Sequence, residues 1–397
     1  MINPNRRLAL LTILVTGLLV RLCLIGFFAA RSDVSPGQIV SGHDGGEYVA
    51  FGRALAGGSL AGVPEDSRRH DPGWPMAIAS VSRLPHAELL SFLLGYAALA
   101  GAIFIGVRLL RTTGNASDGQ SLMWAAAMVG TYPAQLYYGC FVLSEPLFTL
   151  LLVAGVAAYV AFRQSNPESK SANRWYIAAY ALAGLAGLVR APGMLLAFAF
   201  LFESFCTNRN ASRTDDPRPG AILAYTVARA WPILLTVGPW VLWTFAAKQA
   251  WGGQLIFHGP KFSWPFSGFA GWQEFGGARA TYILICVGGV VVSTVALIVQ
   301  WRRCCQAQDL KTTLLLICAA FCALFVVFHL CLRSLHYIDR DVLTFNYQDR
   351  YYVGLLPFLL LPWLRWLRWW IVGSAAMVSV MLSAYWGTNY FSALAAQ

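Results

Sequence analysis

Charge is scarce in this sequence. Only 12% of its 397 residues are Asp, Glu, Lys or Arg, against 57% hydrophobic, and the mean hydropathy is +0.56. That balance excludes a soluble enzyme of one to three domains and indicates a polytopic membrane protein. No segment is long and polar enough to form a separate soluble domain, the largest inter-helix stretch running from about Arg31 to Glu88. There is no CxxC pair. Cys23, Cys140, Cys206, Cys286, Cys318, Cys322 and Cys331 fall in or near apolar runs, where cysteine behaves as a small hydrophobe, so neither a disulfide framework nor a thiolate metal site is expected. A Walker loop and a GxGxxG turn are both missing, so a nucleotide donor is not indicated. Acids deep in the spans are missing too. Arg21 and Arg229 are the only ionisable residues read at mid-membrane, which argues against an ion-coupled pump.

The formal net charge of +11 is topological. Six short segments (1–7, 108–119, 163–174, 207–220, 301–311 and 365–368) carry about fifteen Lys and Arg against about five acids, the positive-inside signature. The opposite side carries about twelve of each sign, so nucleic-acid binding is not expected.

Asn5-Arg-Arg7 precedes an apolar run from Leu8 to about Ala30, long enough to span a bilayer. Phe28-Ala-Ala30 resembles a signal-peptide cleavage site, but the length of the run and Arg21 within it favour an uncleaved first helix with its N-terminus inside. Further spans are read at about 89–110, 121–138, 146–162, 175–189, 192–206, 221–247, 281–300, 312–332, from 351 onward, and 369–385. The expectation is an all-α polytopic membrane protein of about eleven transmembrane helices, one domain over 1–397. Three outer loops interrupt it, at 31–88, 248–279 and 333–350.

The polar residues outside the inner segments gather at the outer ends of the spans. The densest cluster is Ser41-Gly-His-Asp-Gly-Gly-Glu-Tyr48, followed by Phe51-Gly-Arg-Ala-Leu55 and Arg68-Arg-His-Asp-Pro-Gly-Trp-Pro75. Asp44, Glu47, Tyr48 and Phe51 are spaced i, i+3, i+4, i+7 and would share one face of a helix. The same spacing fits a capping box, with Asp44 as N-cap and Glu47 reaching back, and the two readings are compatible. Residues 49–60 are read as a short amphipathic helix at the interface, and Trp74 as an interfacial tryptophan. An outward-facing site has no nucleotide supply, whereas a lipid phosphate can deliver an activated donor from the bilayer. A phosphate leaving group calls for Arg, and an acceptor hydroxyl calls for a carboxylate base.

The stretch from Gly42 to Gly58 resembles the first outer loop of the GT-C membrane glycosyltransferases. It is most similar to the protein O-mannosyltransferase and lipid A aminoarabinose transferase type, and to bacterial relatives of the GPI mannosyltransferases. Pro72-Gly-Trp-Pro75, Tyr132-Pro133 through Ser144-Glu145-Pro146, Leu188-Val-Arg190-Ala-Pro-Gly and Arg350-Tyr-Tyr352 resemble later elements of that family. One departure is that Gly45-Gly46 separates the two acids, which are adjacent in many relatives.

The resemblance implies an inverting transferase of the bacterial inner (plasma) membrane, acting on the periplasmic face. It would move a sugar from a polyprenyl-phosphate donor to a hydroxyl of a lipid or glycan acceptor. Asp44 is then the expected base, or a ligand of a divalent metal ion that orients the acceptor, with Glu47 beside it. Arg68, Arg69, His70, Arg190 and Arg350 are expected at the donor phosphate. Tyr48, Glu145, His258, Lys261 and Arg340 are further substrate-binding candidates, Glu145 also reading as an ordinary first-turn acid. The rival class is a lipid or glycolipid transporter, which would carry inverted repeats; none is visible in the sequence. A non-catalytic scaffold would tolerate Asp44→Asn.

Overall fold

A computed structural model describes residues 4–166, 169–212, 230–251, 276–304, 309–328 and 352–395. Every regular element among them is helical. Five helices are long and apolar enough to cross a membrane: Pro4–Ser32 (α1), Ala87–Thr112, Glu145–Gln164, Leu310–Val327 and Trp369–Phe391. The chain is therefore a multi-pass integral membrane protein. The expected count of eleven spans is not reached among the described residues. The tenth span in particular is not one helix. From Tyr352 the backbone forms three short helical pieces, Tyr352–Leu355, Leu356–Leu359 and Leu361–Trp366. Pro357 and Pro362, which lack an N–H, fall at the starts of the second and third.

Two compact units make up the chain. The first comprises residues 1–150, 245–255 and 363–397, and the second 151–244 and 256–362.

In the first unit, α1 is followed by the loop helices Pro36–Val40 (α2), Gly45–Ala56 (α3) and Gly73–Ile78 (α4), with a 3-10 turn at Glu65–Arg69. Helix α2 starts on a full capping box, Ser35 to Gln38, with Pro36 in its first turn. Ala87–Thr112 (α5) comes next. The third expected span is then broken in two, Asp118–Gly130 (α6) and Pro133–Tyr138 (α7).

Arg21 explains how that break survives in an apolar interior. Pro133 has no N–H to offer the carbonyl of Val129 four residues earlier. The fully buried Arg21 donates to Val129 O at 3.0 Å instead, and also to Gln135 O at 3.3 Å and Gly17 O at 3.1 Å. Its guanidinium lies over the Tyr96 ring, 5.4 Å from the centroid. The last helix, Trp369–Ala395 (α8), completes the repair. Ser379 donates to Thr131 O at 2.9 Å and Ser383 to Pro133 O at 3.4 Å. Backbone groups freed in a membrane interior need internal partners, and here side chains supply them.

The core of this unit joins Phe28 of α1, Ile39 and Val40 of α2, Tyr48 and Val49 of α3, and Trp74 of α4 to Phe92, Phe141, Val142 and Phe391. Trp74 is thus a core residue and not an interfacial one: it is buried, with its ring against Gly95 of α5. Asp118 pairs with Arg6 and with Arg111, the latter at 2.6 Å, so two of the segments read as inner meet one another.

The second unit packs Lys170–Val189, Leu195–Ser212, Gly276–Cys304 and Leu310–Val327, together with most of Glu145–Gln164 and of Ile233–Ala250. The ring of Tyr159 stacks on Phe200 at 4.4 Å. This unit contains the acid that the sequence reading overlooked. Glu203, fully buried, accepts from Tyr159 OH at 2.8 Å, from Thr207 at 3.0 Å and from Thr313 at 3.1 Å, with Arg163 Nε at 3.5 Å. The groups it joins come from three segments read as inner, or from the spans next to them.

Candidate active site in the first outer loop

Residues 41–44 form a tight turn between α2 and α3. Gly45 N–H donates to Gly42 O at 3.1 Å and Gly46 N–H to Ser41 O at 2.9 Å. The turn sits against the 140–143 segment, where Val142 N–H donates to Val40 O at 2.8 Å. A Cβ at position 45 would lie 2.8 Å from Val40 O and 3.4 Å from Val142, so the close approach requires glycine there. Gly52 plays the same part on α4, where a Cβ would meet Ile78 at 3.1 Å and Pro75 O at 3.3 Å.

Asp44 occupies the N-cap of α3, but its side chain makes no capping bond. Glu47 does not reach back to complete a box either. Its Oε2 lies 2.8 Å from His70 Nε2. The capping arrangement is therefore not formed, and both carboxylates belong to a different cluster. Asp44, Glu47 and His70 each present a potential ligand atom, and these atoms all lie within 4.8 Å of one another. The His70 side chain is 8% exposed and that of Glu47 26%, so the imidazole is enclosed while the acid reaches the surface. The Tyr48 ring lies 4.4 Å from the imidazole and fixes its plane, and Tyr48 OH meets Ser144 Oγ at 3.3 Å. Two carboxylates and one imidazole make a set of hard and borderline ligands suited to a divalent cation such as Mn²⁺ or Zn²⁺.

The rest of the loop braces this cluster. Arg53 of α3 donates to Ser82 O at 3.0 Å and pairs with Glu88 at 2.8 Å, fastening the end of α3 to the start of α5. Trp251, from the beginning of the second outer loop, donates its indole N–H to Leu60 O at 2.8 Å. Its ring contacts Phe51, and the Arg68 guanidinium lies 5.7 Å from its centroid.

The cluster separates two expected phosphate ligands. His70 turns onto Glu47, whereas Arg68 turns to Val63 O at 3.1 Å and to Trp251. Arg69 closes the 3-10 turn; its side chain lies outside the described residues. Glu145 opens its helix as a buried acid directly after Ser144. Arg190 caps the C-terminus of Lys170–Val189 in the second unit. His258, Lys261, Arg340 and Arg350 lie outside the described residues.

Two braces went unassigned in the sequence reading. Trp251 carries no local signal linking it to Leu60. His43, inside the motif, has a left-handed backbone with φ of 55°, a conformation that its Gly-rich neighbours gave no reason to assign to it.

Comparison with known proteins agrees with this architecture. Residues 91–216, under a third of the chain, match the model of the dolichyl-phosphate-mannose-protein mannosyltransferase family. The structure is similar to ArnT from Cupriavidus metallidurans bound to undecaprenyl phosphate, with a TM-score of 0.54 and 14% identity over 91% of this chain. That match covers 59% of ArnT, so this chain spans about three fifths of its length. The S. cerevisiae protein O-mannosyltransferase Pmt1-Pmt2 complex bound to its sugar donor matches at a TM-score of 0.43 and 13% identity, over 67% of this chain and 36% of that one. No protein of curated function matches the sequence. The fold is ArnT-like, a GT-C fold.

Proposed function

We propose that this GT-C-fold protein is an inverting membrane glycosyltransferase that uses a polyprenyl-phosphate sugar as donor. The observation that carries the reading is the clustering of Asp44, Glu47 and His70 in the first outer loop, braced on three sides. The family match and the shared fold support it, as does the undecaprenyl phosphate bound to the ArnT relative.

In the proposed reaction the acceptor hydroxyl attacks the anomeric carbon. Its proton passes to an Asp44 carboxylate oxygen, and the bond from the anomeric carbon to the phosphate oxygen breaks. Polyprenyl phosphate leaves with the electron pair, and attack from the opposite side inverts the anomeric centre. The base must be ionised and aimed before the acceptor arrives, and a rigid turn against the core favours that. Glu47 and His70 form a polar wall beside it. Arg68 and Arg69 are the loop's candidates for neutralising the phosphate, while Arg190 and Arg350 rest on the family resemblance.

The acceptor is a lipid or glycan hydroxyl at the outer face of a bacterial inner membrane. The test is to incubate purified protein with polyprenyl-phosphate sugars and a membrane-lipid extract. The expected products are free polyprenyl phosphate and a glycosylated acceptor of inverted anomeric configuration by NMR. Retention of configuration, or no release of polyprenyl phosphate from any donor, would refute the proposal.

A further inference from the structure

Next to the carboxylate cluster is a second construction that the reaction as written does not use. His43, the residue before Asp44, is one of three non-glycine residues with positive φ among those described. Non-glycine residues adopt this region rarely, and hold it where surrounding structure over-determines it.

Here the surroundings are aromatic. The imidazole stacks on Tyr390 at 4.3 Å with an interplanar angle of 19°. It meets Phe141 edge-on at 4.7 Å, and the rings of Tyr137 and Tyr138 lie at 5.7 and 5.5 Å. Its Nε2 lies 3.1 Å from Tyr137 OH. The backbone is held as well: His43 N–H donates to Tyr390 OH at 3.1 Å. Tyr390 thus grips one residue twice, by ring and by hydroxyl.

The grip comes from the far end of the chain. Tyr390 lies near the end of α8, whose Ser379 and Ser383 also tie down the break between α6 and α7. Phe391 packs on Phe28 at 5.7 Å, and Trp386 on Tyr137 at 6.1 Å. Helix α8 is therefore registered against α1, α6 and α7 before it reaches the turn.

We infer that His43 is a positioning residue, clamped in its left-handed conformation by Tyr390 so that the turn presents Asp44 to the acceptor. This inference rests on the reading of Asp44 as the base. A φ of opposite sign at position 43 would rotate the following peptide and swing the carboxylate out of its cluster. The clamp needs no change in how the lipid donor binds, so its loss should appear in kcat and not in the donor KM.

The test compares Tyr390→Phe, His43→Asn and His43→Ala with the wild type, measuring turnover and amide hydrogen exchange of the turn. Tyr390→Phe keeps the stacked ring and removes one hydrogen bond. We expect kcat about tenfold lower, the equivalent of one lost hydrogen bond, with the donor KM within about twofold. Exchange at Gly45 and Gly46 should accelerate while the core of α1 stays protected. Asn tolerates positive φ, so His43→Asn should keep several-fold more activity than His43→Ala.

Unchanged exchange at Gly45 and Gly46 in Tyr390→Phe would overturn the clamp. So would a kcat that falls only in proportion to folded protein. If the wild type transfers no sugar, the proposed activity fails, and the exchange experiment still decides the clamp.

Discussion

Glu203 offers a test of how the second unit is held together, because its two obvious replacements separate charge from hydrogen bonding. Three hydroxyls, from Tyr159, Thr207 and Thr313, converge on its carboxylate, and Arg163 approaches at 3.5 Å from a position that is 26% exposed. Glu203→Gln keeps the oxygen that both threonines donate to. Its amide can face Tyr159, whose hydroxyl retains Phe200 O at 3.1 Å and Ser204 at 2.8 Å as partners. What is lost is the attraction to Arg163, and a partly exposed ion pair is worth about 1 kcal/mol or less. Glu203→Leu removes all three acceptor contacts. Thr207 lies on the helix of Glu203, whereas Tyr159 and Thr313 come from other helices. Hydrogen bonds between membrane helices average about 0.6 and reach about 1.7 kcal/mol, so losing the two interhelical ones should cost about 1–3 kcal/mol. Helix unfolding in detergent or nanodiscs, followed by circular dichroism, should place the Leu variant roughly 2–8 °C below the Gln variant. Gln and Leu midpoints both equal to the wild type would refute the argument from hydroxyl satisfaction. Midpoints lowered equally in both would show that the negative charge is what matters.

Three further outcomes follow from other elements. Zn²⁺ or Mn²⁺ should bind the metal-stripped protein at one equivalent per chain, measured by elemental analysis and by loss of the free Mn²⁺ resonance; Glu47→Gln and His70→Ala should each weaken binding at least about tenfold. Binding unaffected by both substitutions would remove the cluster as a metal site. Trp251→Phe deletes the indole N–H that holds Leu60 O and should speed proteolysis near residue 60 several-fold, with no change if that bond is idle. Asp309 caps Leu310–Val327 through Thr312 N–H at 2.8 Å, and that bond holds its carboxyl below the ordinary carboxylate range. Because the folded-state value is lowered, its contribution is complete above the unfolded pKa of about 4 and fades as pH falls through the lowered value. Asp309→Ala should therefore cost about 1 kcal/mol at pH 7 and progressively less as the pH falls below about 4, by unfolding across that range.

The five long apolar helices were legible because long apolar runs with few charges leave little choice of structure. Two breaks were not. Tyr132-Pro133 reads equally as a kink inside one helix, and only the Arg21, Ser379 and Ser383 donors make a full break affordable there. Those donors come from parts of the chain with no local signal of their purpose. Arg21 was recognisable as a buried cation, but its partners are main-chain carbonyls, which every residue carries. Glu203 escaped notice because it sits one residue before Ser204 and three before Cys206, close enough to the inner end to pass for a boundary acid. In the first outer loop, the spacing of Asp44 and Glu47 pointed to a shared cluster while leaving capping open. His70 closed that question by taking Glu47 from a turn 23 residues away. The left-handed His43 was hidden for a related reason: its conformation is imposed by Tyr390, 347 residues later.

Sugar transfer in membranes carrying Asp44→Asn tests most directly whether Asp44 performs the chemistry. Asn preserves the size of the side chain and the turn, so the amount of folded protein should match the wild type. With radiolabelled polyprenyl-phosphate sugars, the wild type should label an acceptor and the variant should fall by at least about a hundredfold, the low end of what a general base contributes. Equal transfer by both, at equal folded protein, would contradict the account and leave the Asp44 cluster a structural brace.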